Sequence, residues 1–555
     1  MRKPVLFAGA VLTALALVAG CSGGGSEGDG GGGTDAPEAN TVLNGELPSD
    51  GPAEDGGILT VNDASDSPTL DPHKSATAYT HSQVSGIVYS KLLEFDAGRD
   101  IEYGSMGVHG DLAETWEHSE DGLTWTFNLR KGVKWHNVAP VNGRAFTSAD
   151  VVCTVDRIKT LPGVQKNLMD VVATVDTPDD TTVVFNLNTP YGAFDETMAS
   201  FYMEILPCEG TSGQFDLAQV AIGTGPFILQ KWDRKVQKTY VKNPDYFVAG
   251  KPHLDGVNLI IQADPASAIA AFRTEQLDVT GSVNSTLLPT VTSTNPDAVV
   301  KSQLTLTMSQ VTFNQAVKPF DDIRVRQAVA MAWDRVGMGE TFYPEGFAVA
   351  GAYPSTLFGS MTSKEALDAN PYDPDAAKKL LADAGYPDGF DVELLTTDGY
   401  GPTITNQAQW VQQDLKDIGI NATLKILDYA TYFSTFAAKD YQMSFGLSTG
   451  FLTPDEWLQA LYKSDGPRNW FNTNDPKVDA MIEDQRSTID VDEREKKLQD
   501  TSKYIVENVL NPIFGFQYTS LLTAQPYVHN LYTHPQYARP YMADVWLDKD
   551  APGRK

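Results

Sequence analysis

From Asp111 to Thr154 the chain reads DLAETWEHSEDGLTWTFNLRKGVKWHNVAPVNGRAFTSADVVCT, an order of strand, turn, strand and capped helix. Trp125, Phe127 and Leu129 alternate with Thr126, Asn128 and Arg130, the period of a half-buried strand, and Asp121-Gly122 supplies turn chemistry before it. After a break at Asn142-Gly143, Thr147 or Ser148 can cap a helix carrying Val151, Val152 and Val155. These apolar residues carry fold rather than chemistry, so function has to be sought elsewhere.

With 555 residues the chain exceeds what one core supports, since cores stop growing at roughly 250 to 300 residues, and two or more packed lobes follow. A hydrophobic content of 41% is enough to fill them. The formal net charge of -30 gives an acidic surface that repels phosphate backbones, which excludes nucleic acid and leaves small solutes and protein partners.

The first residues supply an address. Arg2-Lys3 precede an apolar run from Val5 to Val18, shorter than the about 20 residues a membrane span needs. Val18-Ala19-Gly20-Cys21 then resembles the cleavage site of a bacterial lipoprotein signal, with residues 1–20 removed and Cys21 acylated. Residues 21–56 form a Gly-, Ser- and acid-rich tether that cannot bury enough apolar surface to order itself. At about 5 to 6 Å times the square root of residue number, it reaches roughly 30 to 35 Å. The expected location is the extracellular face of the cell membrane, or the periplasmic side where there are two membranes. Apart from Cys21 only Cys153 and Cys208 remain. An oxidising compartment favours a disulfide between them, with two buried thiols as the alternative.

The folded part is expected to open at Gly57 with a strand over Ile58–Val61. Gly223-Thr224-Gly225-Pro226-Phe227 is a tight crossing into a strand, and it lacks the Lys-Ser/Thr pair of a phosphate loop. MSQVTFNQAVKPFDDIRVRQAVAMAWDR, Met308 to Arg335, reads as strand, turn at Pro319 and helix. YDPDAAKKLLADAGYPDGFDVELLT and AQWVQQDLKDIGINATLKILDYATY each read as helix, glycine stop and strand, and such alternation indicates an α/β lobe. No internal repeat is visible.

Taken in order, these markers resemble the family 5 extracellular solute-binding proteins, the peptide, nickel and oligopeptide binders of ABC importers. The resemblance implies an α/β, two-lobed periplasmic-binding-protein-like fold of type II, in the large class with an extra insert domain and a ligand cleft between lobes. Lobe I would comprise 57–95, 223–312 and 516–550, the insert 96–222, and lobe II 313–515. One hinge would lie near Phe313-Asn314, and Val506 to Leu521 would return across the cleft.

It also implies which segments face the ligand. These are the Ser67–Tyr79 loop, Gln310–Asn314, Gly446–Trp457 and Phe514–Tyr518, with Thr69, Tyr79, Gln310, Phe313, Asn314, Gly450, Phe451, Trp457, Phe516 and Tyr518 as contacts. GLSTGFLTPDEWL, Gly446 to Leu458, aligns on a family stretch Gly-Trp-x-x-Asp-Tyr-x-x-Pro whose acid pairs with a peptide's amino terminus. Here Gly450 stands at the acid, Leu447 at the tryptophan and Phe451 at the tyrosine. Either Asp455 substitutes for the acid, or the ligand carries no primary amine there: a modified or longer peptide, a glycan, a siderophore-like molecule or another natural product.

The eight histidines are scattered, and His73 and His81 lack the i, i+4 spacing of a helical ligand pair, so no metal and no cofactor is assigned. The expected function is capture of a peptide or peptide-like solute by hinge closure and delivery to ABC permease subunits, by a monomer held to the membrane through its lipid. A secreted hydrolase is the first rival. The acid pairs Asp179-Asp180 and Asp321-Asp322 sit in turn contexts, however, and neither Gly-x-Ser-x-Gly nor His-Glu-x-x-His occurs. The second rival is a lipoprotein of the same fold that regulates the envelope.

Overall fold

The computed structural model describes residues 42–48, 51–75, 77–101, 103–161, 164–448, 451–532, 534–535 and 539–554. The signal and acylation residues, most of the tether and Gly450 lie outside them. No helix among the described residues is long and apolar enough to cross a membrane.

The Asp111–Thr154 block forms the elements its pattern dictates. Thr124–Leu129 is a strand with Trp125, Phe127 and Leu129 buried, central in a four-stranded antiparallel sheet with Ala113–His118, Thr182–Leu187 and Val172–Asp179. Thr147 caps the helix Ser148–Thr160, its N–H donating to Asp150 at 3.2 Å, while Arg144 clamps Asp150 and Glu209 at 2.6 Å each. Cys153 and Cys208 are bridged, tying that helix to Cys208–Thr211 across a sequence separation of 55. Phe194 packs against Trp125 and Phe185 at 5.5 and 5.3 Å between ring centroids.

Among the described residues the remaining strands form two small antiparallel pairs, Leu93–Phe95 with Val108–Gly110 and Val528–His529 with Trp546–Leu547, and one twelve-stranded mixed sheet. Its first half, over Val279–Val283, Ile58–Asp63, Gly256–Ile261, Gln237–Lys242 and Phe227–Asp233, runs from the middle to one edge. Its second half, over Met443–Ser448, Phe390–Thr397 and Ile420–Leu427, runs to the other edge. The helix-glycine-strand units appear as Pro374–Asp383 before Phe390–Thr397 and Pro402–Asp417 before Ile420–Leu427.

Two long central strands, Val299–Phe313 and Ile513–Ala524, belong to both halves. Their antiparallel pairing slips between Leu304 and Met308, where Leu304 faces Thr519 and Met308 faces Gln517. On one side of the slip Ile513–Ala524 pairs with Val279–Val283 and Val299–Phe313 with Val42–Asn44, and on the other they pair with Phe347–Val349 and Met443–Ser448 respectively. Phe313 lies beyond the slip, in the second-half core. Its ring centroid is 4.9 Å from Phe320, and its backbone exchanges bonds with the Asn511 amide at 3.0 and 2.8 Å.

Candidate functional site

Phe390–Thr397 pairs parallel with both Ile420–Leu427 and Met443–Ser448, so three carboxyl ends emerge along one edge of the second half. Crevices outside such ends are where open α/β sheets hold ligands, because loops can diverge there over a rigid frame. Tyrosines gather at these ends. Tyr400 follows the first strand, and Tyr429 and Tyr432 open the helix Tyr429–Ala437 after the second. Tyr400 stands 5.4 Å from Tyr429 and 6.3 Å from Tyr432 between ring centroids. Burial pushes the Tyr400 phenol well above its usual range, with Tyr432, Tyr429 and Tyr518 adding to the shift, so it stays a neutral donor.

Tyr518 joins this group from the long return strand, stacked 4.8 Å from Tyr343. Tyr429 is 48% exposed and Phe433 39%, so the group presents aromatic faces to solvent as well as phenol handles. Gly446 explains its own identity here. A Cβ on it would stand 2.3 Å from the Tyr432 hydroxyl, which bonds Ser444 at 3.2 Å.

Across the Gly446–Trp457 segment lies a cavity of about 400 Å³. The insert contributes Leu168, Asp170 and Val171 to it, and the second half contributes Phe451, Glu456, Gln459 and Arg486. Phe451 is held edge-on to Trp457 at 5.1 Å, beneath the Arg468 guanidinium at 4.7 Å, and Trp457 in turn meets Phe514 at 5.9 Å. Thr453 caps the short helix Pro454–Trp457, accepting from the Glu456 N–H at 3.2 Å.

The two acids of that helix differ. Asp455 accepts from Gln485 at 2.7 Å and from the Tyr191 hydroxyl at 2.9 Å, with Arg486 at 3.7 Å. Its oxygens are committed to protein, and it does not line the cavity. Glu456 does line it, its carboxylate accepting from the Leu452 N–H at 2.6 Å and the Ser200 hydroxyl at 3.4 Å. Burial raises its carboxyl to about 7, the Asp455 charge adding to the rise.

The other expected contacts fall in several places. Gln310 is buried, pairs with Gly446 across the strands and leaves its Oε1 without a partner. Phe313 and Phe516 are fully buried core residues, Phe516 meeting Tyr343 and Phe347 at 5.6 Å each. Asn314 spends its amide on Lys439 O at 2.9 Å, Ala316 N at 3.1 Å and Asn472 at 2.8 Å. Thr69 caps its own turn, accepting from Asp71 N at 3.1 Å, and Tyr79 is 37% exposed on the helix Ala78–Val84. Their loop is pinned to the insert by Asp71 to Arg157 at 2.6 Å and His73 to Glu204 O at 2.8 Å. Tyr343, Tyr400, Tyr429, Tyr432 and Glu456 were not expected from sequence. The position of Tyr400 and Tyr429 just past two recognisable strands was the signal available.

Residues 107–469 match the model for bacterial extracellular solute-binding proteins, family 5 Middle, which is well over half of the chain. The chain belongs to family 5. This family 5 protein is 27% identical over 477 residues to di/tripeptide-binding protein 1 of Pseudomonas aeruginosa, covering 80% of this chain and 86% of that one. It is 28% identical over 457 residues to heme-binding protein A of Haemophilus influenzae, covering 76% and 80%. In fold it matches the periplasmic binding protein DppA of Helicobacter pylori, solved in complex with the peptide STSA. That likeness has a TM-score of 0.73 at 23% identity, over 89% of this chain and 99% of that one. The family 5 fold is thus the expected two-lobed α/β architecture.

Proposed function

We propose that this family 5 protein is the extracellular substrate-binding lipoprotein of an ABC importer, taking a peptide or peptide-like solute between its lobes and presenting the closed form to permease subunits. The observation that carries this reading is the half-open, partly polar cavity between insert and second half. Its volume falls in the range that small ligands occupy. Relatives named for di- and tripeptides cover most of the chain, which favours peptide over other solutes. Binding by closure asks for no covalent chemistry and no cofactor.

Closure needs a hinge, and the paired slip at Leu304–Met308 is the best candidate. Only there do both crossing strands change partners together, so a bend costs few other contacts. We therefore place the lobe boundary at this slip rather than at Phe313-Asn314. The test is native mass spectrometry of the full chain, purified from its own organism in detergent without refolding. A series of co-purified peptide masses is expected. One non-peptide mass would reassign the solute, and a reproducibly empty protein that ignores peptide libraries would favour envelope regulation.

Anchoring rests on the Val18–Cys21 sequence and the tether after it. The mature chain is expected to begin at Cys21 and to carry the added mass of acyl groups, and Cys21→Ser is expected to carry none. An intact mass beginning at Met1 in the wild type would end the lipoprotein reading.

A further inference from the structure

The cavity beside Phe451 is charged unevenly. Of the acids lining it, Asp170 pairs with Lys166 at 2.7 Å, while Glu483 and Asp465 face Lys463 at 2.5 and 3.9 Å. Arg486 is turned toward Asp455 at 3.7 Å and lies 4.2 Å from the centre of the Tyr191 ring. Among the described residues Glu456 alone of the lining acids has no cation within ion-pair reach, although it is only 2% exposed. A buried carboxylate without a cation is costly, and an arriving cation would remove that cost. One turn on, Gln459 leaves its Nε2 buried without a partner, a donor awaiting an acceptor on the same helical face.

An unpaired acid beside an unused amide donor complements a cationic group with a carbonyl close behind it. We propose that Glu456 and Gln459 hold the cationic end of the solute, which on the peptide reading above is a free amino terminus followed by its first carbonyl. The acid absent at Gly450 is then replaced by Glu456 from within this cavity, and not by Asp455. The raised Glu456 carboxyl agrees, since it shows a site in which ionisation is disfavoured until a cation enters.

The test titrates the full chain with di-, tri- and tetra-alanine, with their N-acetyl forms, and with agmatine and spermidine as non-peptide cations. Free-amine peptides are expected to bind about 10- to 100-fold tighter than their acetylated forms, the scale of one charge-assisted hydrogen bond in a desolvated site. Glu456→Gln keeps an oxygen for the Leu452 N–H. It should bring the free-amine affinity down to the acetylated level while leaving acetylated peptides unchanged. Equal binding of free and acetylated peptides leaves the peptide reading intact and overturns the role of Glu456, as does an equal loss of both in the variant. Binding of agmatine or spermidine alone, lost in Glu456→Gln, retires the peptide reading and keeps the cation site. Failure of every probe to bind the wild type overturns this proposal.

Discussion

Gly192→Ala is expected to hold the insert off the second half of the molecule, expanding the protein in solution and weakening solute binding about 10- to 100-fold. A Cβ at Gly192 would lie 1.8 Å from the Thr488 carbonyl oxygen and 2.7 Å from its carbon. Both are backbone atoms, so no rotamer change relieves the clash. The neighbouring contacts would part with it: Gly192 N to Arg486 O at 2.8 Å, and the Tyr191 hydroxyl to Asp455 at 2.9 Å. Overpacking of this kind costs about 1–3 kcal/mol, and here the cost falls where buried residues of the insert and of the second half share one hydrophobic cluster. Small-angle scattering reads the expansion and calorimetry the affinity. Gly281→Ala is the control, since an added Cβ there meets nothing within 4 Å. An unchanged radius and affinity in Gly192→Ala would mean that this contact plays no part in closing the site.

The sequence made the local elements legible because their causes are local. Alternating Trp125, Phe127 and Leu129, the Thr147 cap and the glycine stops each act within a few residues, and each produces its expected strand or helix. The site was less legible because tertiary strand order assembles it. Tyr343, Tyr400, Tyr429 and Tyr518 are spread over most of the second half: the parallel pairing of Phe390–Thr397 with Ile420–Leu427 brings Tyr400 to Tyr429, and the antiparallel pairing of Phe347–Val349 with the return strand brings Tyr343 to Tyr518.

Phe313 and Phe516 were expected to face solute because they lie on the crossing strands. Those strands are central and buried along nearly their whole length, so side alternation cannot distinguish a core face from an open one. Asn314 offers polar atoms in sequence but uses them to close a turn. The choice between Asp455 and Glu456 turns on helix phase. Adjacent residues point about 100° apart, so one acid faces Tyr191 while the next reaches the cavity.

The interface that Gly192 opens is also held by charge, and Arg494→Met is expected to lose about 1–3 kcal/mol of stability at pH 7.5, the scale for a buried polar group that loses its partner, since a carboxyl lifted to about 7 can take up a proton there at small cost. Arg494 donates to Glu196, and the two residues are 3% and 6% exposed. Burial already lifts the Glu196 carboxyl to about 7, with Arg494 holding it down and Asp195 pushing it up. Without the guanidinium, Glu196 and Asp195 share a desolvated site with no cation, and the Glu196 pKa moves further from its unfolded value. The folded variant then keeps a proton that the unfolded chain has released above the usual carboxylate range, so stability falls as pH rises from about 4.5 through 7. The loss in Arg494→Met should therefore shrink at pH 5. Glu196→Gln combined with Arg494→Met should recover much of it at pH 7.5, because an apolar or neutral replacement of both partners carries no uncompensated charge. Urea unfolding of the four proteins at both pH values reads the coupling. A loss independent of pH and of Glu196→Gln would show that Arg494 stabilises through packing on Phe358, 5.9 Å from its guanidinium, rather than through the carboxylate it faces.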